Sequence, residues 1–397
     1  MRQRALAVMQ GKQPDRLPFI TRLETWFKSH QRTGTLPAEF REMNLPELHR
    51  SLNVGQLKFM VPFAFRLRGV EVSVWFNGER IARDYEPALE NFPGMWDYVP
   101  TDRAGTTIVE LVTPVGKLRL HHILAEENVL TGTDPYLKEH LIKDEADFKT
   151  VAYILERFDW VPRYVNYSAE QARLGENAFV VPLLLRIHFQ QVLLEYLGET
   201  ALFYALYDHP KQIRWLLELL DRQMLELLSQ LGEFDAPYVE FPDNLHGLMT
   251  NPKLFREYCL PAYRKYTQIL HWQGKKVGSH TDGNVKPLLS LLAESGLDVC
   301  ESFSPYPLTE CRFEEAWAAW GSGPVIWGGI PSPLLEEATR PEEFSAYMEG
   351  LFARIDRPLI LGVVDLFMRH NAIERVRQIA QELEKRRWQF SKINAPA

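Results

Sequence analysis

Hydrophobic and polar positions along this chain follow two different periods. VEVSVWFNGERI (Val70 to Ile81) alternates apolar and polar residues up to Asn77-Gly78, a pair suited to a two-residue hairpin turn. TTIVELVTPVGKLRLHHI (Thr106 to Ile123) alternates in the same way and turns near Pro114-Val115-Gly116. A β-rich flank over about residues 70–125 is expected. After about residue 145 the pattern becomes short apolar runs separated by helical stretches. AFVVPLLL (Ala178 to Leu185) is a continuous apolar run of the kind buried on both faces. Asp208 and Pro210 read as opening a helix with Ile213, Leu216, Leu217, Leu220, Met224, Leu227, Leu228 and Leu231 at helical spacing.

The alternation continues through YVEF (Tyr238 to Phe241), a helix opened at Asn251-Pro252, KKVGSH (Lys275 to His280) and LDVCE (Leu297 to Glu301). PVIWGGI (Pro324 to Ile330), a helix over 341–354, PLILGVV (Pro358 to Val364) and a helix from about Ile373 close the series. At the other end, residues 1–16 read as a surface helix stopped by Gly11, and LPFITRLE (Leu17 to Glu24) as a strand. Strands alternating with helices imply parallel pairing with right-handed crossovers. No Gly-rich dinucleotide fingerprint or phosphate loop is present, so a (β/α)8 TIM barrel with a β-rich flank, one domain over residues 1–397, is expected. The last residues, Lys392 to Ala397, read as a loose tail.

Composition narrows the class. Of 397 residues, 46% are hydrophobic, enough for a large core, and the formal charge of −7 argues against nucleic-acid or anionic-membrane binding. No apolar run approaches the roughly 20 residues of a spanning helix. Gln10, Gly11 and Lys12 interrupt the N-terminal apolar stretch too early for a signal peptide. Three cysteines, Cys259, Cys300 and Cys311, form no disulfide framework and fit a reducing compartment, so a cytoplasmic enzyme with a small-molecule substrate is expected.

In such a barrel the active site lies at the C-terminal ends of the strands. Polar residues collect there: Arg186 and His188 after AFVVPLLL, Asp243, Asn244 and His246 after YVEF, Glu301 in LDVCE, and Asp365, Arg369 and His370 after the last strand. The HTDG segment is the most pointed. His280 and Asp282 lie two apart and face one side in extended backbone, where Glu301 or Asp365 could complete a site for zinc or a harder metal. The plainer alternative has Asp282 orient His280 or cap the next helix. Arg186 suits a carboxylate clamp or a structural ion pair, and Asp243 and Asn244 suit substrate contact or a cap. Trp26, Phe241, Phe303, Tyr306 and Phe367 fall near the same strand ends, where aromatics hold a flat ligand or simply fill core. His121-His122 reads as solvated, and Cys300 as core because it faces away from Glu301.

As a set, the VPLLL strand, PDNLHGLMTNPKLFREYCLPAYRKY (Pro242 to Tyr266), SHTDGNVKPLL, IWGGIPSPLL and LILGVVD resemble the uroporphyrinogen decarboxylase superfamily. That superfamily includes the decarboxylase and cobalamin-linked methyltransferases, some zinc-dependent, and the resemblance implies the same barrel. True decarboxylases carry an Arg-rich RQAGR segment after the first strand and a His after the last. Here TRLETWF (Thr21 to Phe27) keeps Arg22 alone, and Asp365 stands at the His position. The zinc methyltransferases show H-x-C-G and a later Cys; this chain keeps His280 and Gly283 but has Asp282 and Asp365 in place of the thiolates. ESFSPYP (Glu301 to Pro307) resembles the corresponding segment of methyltransferase-like members.

The resemblance implies methyl transfer from a small methylated compound, such as a methoxy-aromatic, to a corrinoid on a separate protein, no corrinoid-binding motif being present here. His280, Asp282 and Asp243 are the expected catalytic residues. Arg22, Trp26, Arg186, His188, Asn244, Phe303 and Tyr306 are expected around the substrate, and His280, Asp282, Glu301 and Asp365 around zinc or another divalent metal. Two alternatives stand beside it. One is a decarboxylase of a small or tetrapyrrole acid, with Arg186 or Arg22 on the carboxylate and Asp243 as proton donor. The other is a silent barrel that binds a small molecule or a partner protein.

Overall fold

The computed structural model describes residues 1–83, 100, 102–364, 366–386, 388 and 390. β1 (Ile20–Thr21) and β2 (Gly55–Met60) pair in parallel. An excursion of seven strands follows: β3 (Phe63–Leu67), β4 (Glu71–Phe76), β5 (Glu79–Arg83), β6 (Gly105–Thr113), β7 (Gly116–Leu124), β8 (Tyr136–Glu139) and β9 (Phe158–Pro162). The parallel series resumes with β10 (Ala178–Pro182), β11 (Tyr238–Phe241), β12 (Lys276–His280), β13 (Val299–Phe303), β14 (Val325–Pro331) and β15 (Ile360–Val364).

The parallel strands form two sheets, ordered β1-β2-β10 and β11-β12-β13-β14-β15. Isolated parallel bridges join the sheets at both edges, Phe19 to Leu361 and Leu183 to Glu240. Beside them the Leu361 amide donates to the Pro18 carbonyl, and the Leu184 amide to the Glu240 carbonyl, each at 2.8 Å. Eight parallel strands therefore follow one another in a TIM-barrel-like arrangement. β10 is buried along its whole length, as its unbroken apolar run requires. Helices return the chain after most strands. The longest, Pro210–Gln230, starts with proline at its first turn and buries the leucine stripe read from the sequence.

The antiparallel flank is the sheet β5-β4-β6-β7-β8, so it reaches Glu139, beyond the expected boundary near residue 125. The hairpin between β4 and β5 turns on Asn77 (φ 49°) and Gly78 (φ 85°), both left-handed as that turn demands. Val72, Val109 and Leu118 of this sheet share one continuous hydrophobic core with the parallel strands. Three local expectations are corrected. The first strand shrinks to two residues. Asp208 ends the helix Glu199–Asp208 instead of opening the next one. His122 is buried, because the face of β7 that carries it and Leu118 packs inward. The expected tail, 392–397, lies outside the described residues. Among the described residues no helix is long and apolar enough to cross a membrane.

Candidate active site

The C-terminal ends of the parallel strands open into a cavity of about 610 Å3. Arg22 follows β1 into it, β2 contributes Lys58 and Phe59, and the loops after β10 and β11 contribute Arg186 and Asn244. Glu240, His280, Asp282, Glu301 and Trp327 complete the side facing β11 to β14. Leu45-Pro46, Gly132 to Asp134, and Glu170 and Arg173 of the helix Tyr164–Leu174 also border it, so part of the excursion helps to enclose the site.

Strand register explains what meets at its floor. His280 lies directly opposite Glu301, and Glu240 lies opposite Gly278. Side chains two apart share a face, so Tyr238, Glu240, His280 and Glu301 all point inward. His280 Nδ1 hydrogen-bonds Glu301 Oε2 and lies 4.0 Å from Glu240 Oε1. Its Nε2 is 3.7 Å from Asp282 Oδ2. One ligand atom from each of Glu240, His280 and Glu301 can lie within 4.8 Å of the others. Glu240 is fully buried; its Oε2 accepts from the Tyr238 hydroxyl at 2.7 Å, and its Oε1 has no hydrogen-bond donor.

These positions set the electrostatics. Burial, reinforced by the Glu301 carboxylate, pushes the Glu240 carboxyl well above the usual range. Burial alone would lower His280, but the Glu301 and Asp282 carboxylates hold it at about 9. The imidazole is thus cationic at neutral pH. The backbone beside the cluster is unusual as well, since Asn244 and Ser302 line the cavity with left-handed φ of 51° and 56°.

The cluster differs from the expected metal set. Glu240 joins His280 and Glu301, whereas Asp282 stands on the other side of the imidazole and Asp365 lies outside the described residues. Glu240 did carry a sequence signal: it is the one charged residue in the apolar strand YVEF, and its face is that of Tyr238. Arg22, Arg186 and Asn244 do line the cavity. Arg186, however, is committed to a buried ion pair with Glu195 at 2.8 Å, and Arg22 pairs with Glu24 at 2.9 Å while lying over the Phe59 ring.

Five expected residues sit elsewhere. Asp243 is fully buried outside the cavity lining, where it accepts from the Ile187 amide (2.8 Å), the Tyr263 hydroxyl and the Ser279 hydroxyl (3.1 Å). Burial raises it to about 6 despite those donors. Trp26 is core: its indole donates to the Asn371 carbonyl at 3.1 Å and its ring packs against Phe40 and Phe367. His188 is not in the cavity lining; its ring lies edge-on to that of buried Tyr266, and burial lowers it to about 4. Phe303 should face inward with Glu301, but the register shifts between Cys300 and Phe303 at left-handed Ser302. Its ring therefore packs on Phe313 and Trp320 of the outer helix. Tyr306 is 52% exposed, beneath Arg312 and away from the cavity.

Residues 197–356 match the uroporphyrinogen decarboxylase (URO-D) family. No curated protein matches the chain significantly. Among solved structures, a methyltransferase from Methanosarcina mazei aligns with a TM-score of 0.53 at 12% identity, over 97% of this chain and 98% of that one, which shows a shared fold. A structure of the pneumococcal virulence factor StrH, concerned with N-glycan recognition and hydrolysis, aligns at 8% identity over 95% of this chain and 85% of that one. Its TM-score is 0.36. The family match begins at Leu197 and runs through the β11 to β14 strand ends, so the part of the chain that carries Glu240, His280 and Glu301 is similar to the uroporphyrinogen decarboxylase family.

Proposed function

We propose that this chain is an enzyme built on a closed (β/α)8 barrel that takes a methyl group from a small methylated compound, such as a methoxy-aromatic. The acceptor in this reading is a corrinoid carried by a separate protein. The observation that carries the reading is the convergence of Glu240, His280 and Glu301 on the cavity floor. The superfamily match and the methyltransferase with the same fold support it.

The chemistry follows from what an ether must do. When its methyl leaves, the oxygen retains the bonding pair and needs a proton or a cation. His280 is a cationic imidazole whose Nδ1 is held by Glu301, which leaves Nε2 on the Asp282 side of the ring. A proton delivered from there to the departing oxygen gives a neutral alcohol or phenol, and such general acid catalysis contributes about 10²–10⁴-fold. Phe59, edge-on to His280 with ring centroids 6.1 Å apart, and Trp327 supply flat apolar surface beside that proton. The superfamily also implies zinc or another divalent metal. The donor set fits one, because Glu240 Oε1 is buried without a donor; Glu240, His280 and Glu301 would hold it, and it would supply a Lewis acid.

The decarboxylase reading needs a free arginine for a carboxylate and Asp243 as proton donor. The pairing of Arg186 with Glu195 and the position of Asp243 behind the wall weigh against it. The test is incubation with a panel of methoxy-aromatic compounds and free cob(I)alamin, followed by loss of the Co(I) absorbance. Transfer by the wild type that is lost in His280→Ala is expected. Carbon dioxide release from a carboxylate panel with no methyl transfer would shift the assignment to the decarboxylase, and silence in both to a binding barrel.

A further inference from the structure

The floor cluster combines features that separate a cation site from a mere acidic pocket. Glu240 and Glu301 come from two strands on either side of β12, with His280 between them, and all three offer ligand atoms within 4.8 Å. Glu240 is 0% exposed, and its Oε1 has no hydrogen-bond donor although it points at the other two groups. A buried carboxyl oxygen left without a partner is costly unless something occupies it.

The orientation of that oxygen is itself constructed. Tyr238 is fully buried two residues earlier on the same face, and its hydroxyl donates to Glu240 Oε2. There is room for the phenol only because residue 278 is glycine; a Cβ there would lie 1.9 Å from the Tyr238 oxygen. The pair fixes one oxygen of Glu240 and aims the other at His280.

We infer that Glu240, His280 and Glu301 bind a divalent cation through hard oxygen and imidazole ligands, with Glu240 as the anchoring ligand and Tyr238 as the residue that positions it. No thiol lines the cavity among the described residues. Cys300 faces away from Glu301, and Cys259 and Cys311 are buried elsewhere. A site of two carboxylates and one imidazole accepts Mn2+ as well as Zn2+, unlike a thiolate-rich site, which favours the softer ion. Asp282, on the far side of the ring, is not a ligand in this assignment. The inference rests on the same floor site as the proposed function but needs no methyl donor or acceptor.

The experiment uses the full chain stripped with a chelator and titrated with MnCl2 or ZnCl2 alone. Bound Mn2+ is read by loss of its free electron paramagnetic resonance signal, and Zn2+ by calorimetry. One ion per chain is expected for each metal. Glu240→Gln should weaken Mn2+ binding at least about 30-fold, Tyr238→Phe by about 3–10-fold, and Asp282→Asn by less than about threefold. The melting temperature of metal-free Glu240→Gln should equal or exceed that of the wild type, which shows it folded; Glu301→Gln provides a second ligand variant. Absence of stoichiometric binding by the wild type, or Glu240→Gln binding like the wild type, overturns the inference. Because the readout is metal alone, that failure would leave methyl transfer by the protonic route standing, and failure of methyl transfer would leave the metal result intact.

Discussion

Glu240 and Asp243 are three residues apart, both fully buried, and they could hardly be used more differently. Asp243 receives three donors from three parts of the chain: the Ile187 amide, the Tyr263 hydroxyl and the Ser279 hydroxyl. Glu240 receives one, from Tyr238, and turns its second oxygen toward His280 in the cavity. A buried carboxylate whose lone pairs are filled by its own fold holds elements together. One left partly unfilled beside an imidazole and a second carboxylate is available to a proton, a cation or a substrate. Burial and charge alone would not separate the two residues; saturation does.

The largest expected effect is on the unsaturated side. His280→Ala removes the group between Glu240 and Glu301 and should lower turnover about 10²–10⁴-fold with only a small change in melting temperature. Asp243→Asn should do the reverse. It replaces a carboxylate oxygen with a donor amide facing other donors, costing about 1–3 kcal/mol of stability while turnover per folded molecule stays close to wild type. Chemical denaturation and steady-state kinetics on the two variants check both. Gly278→Ala sharpens the comparison by disturbing Glu240 through Tyr238. The new methyl must displace the phenol, so a loss of about 1–3 kcal/mol is expected together with reduced turnover.

A smaller effect concerns pH. His49 is fully buried, and burial lowers it to about 3 from the 6.5 of an unfolded chain. As pH falls below about 6.5, the unfolded state takes up the proton first. Stability from this group is therefore complete above that pH and is lost at about 1.4 kcal/mol per unit as pH falls toward 3. His49→Leu should flatten the acid limb of a melting-temperature profile between pH 6 and 4. The smallest effect belongs to Tyr306. Exposed and outside the cavity, Tyr306→Ala should change stability by less than about 0.5 kcal/mol and leave turnover unaltered.

Periodicity made most of the fold legible. The Asn77-Gly78 hairpin, the leucine stripe of Pro210–Gln230 and the apolar runs of β10 to β15 each follow from a local rule, and local rules survive folding. The β-rich flank was underestimated because Tyr136–Glu139 is a short, largely exposed edge strand without strong alternation. In the site, His280 and Glu301 were legible because strand ends in such a fold gather the chemistry. Orientation was not. Trp26 follows β1 but its helix turns it onto Phe40, and Phe303 is reversed by one left-handed residue, Ser302, that no alternation reveals. Glu240 went unread because it lies inside a strand, and only the register against Gly278 shows that it reaches His280.

The most direct test of the distinction between the two carboxyls compares Glu240→Gln with Asp243→Asn in one assay, methyl transfer to free cob(I)alamin, alongside the melting temperature of each. The account predicts that Glu240→Gln loses at least about 10²-fold in turnover at an unchanged or higher melting temperature, and that Asp243→Asn keeps its turnover at a lower one. A Glu240→Gln protein as active as the wild type, or an Asp243→Asn protein that melts normally but has lost transfer, would contradict it.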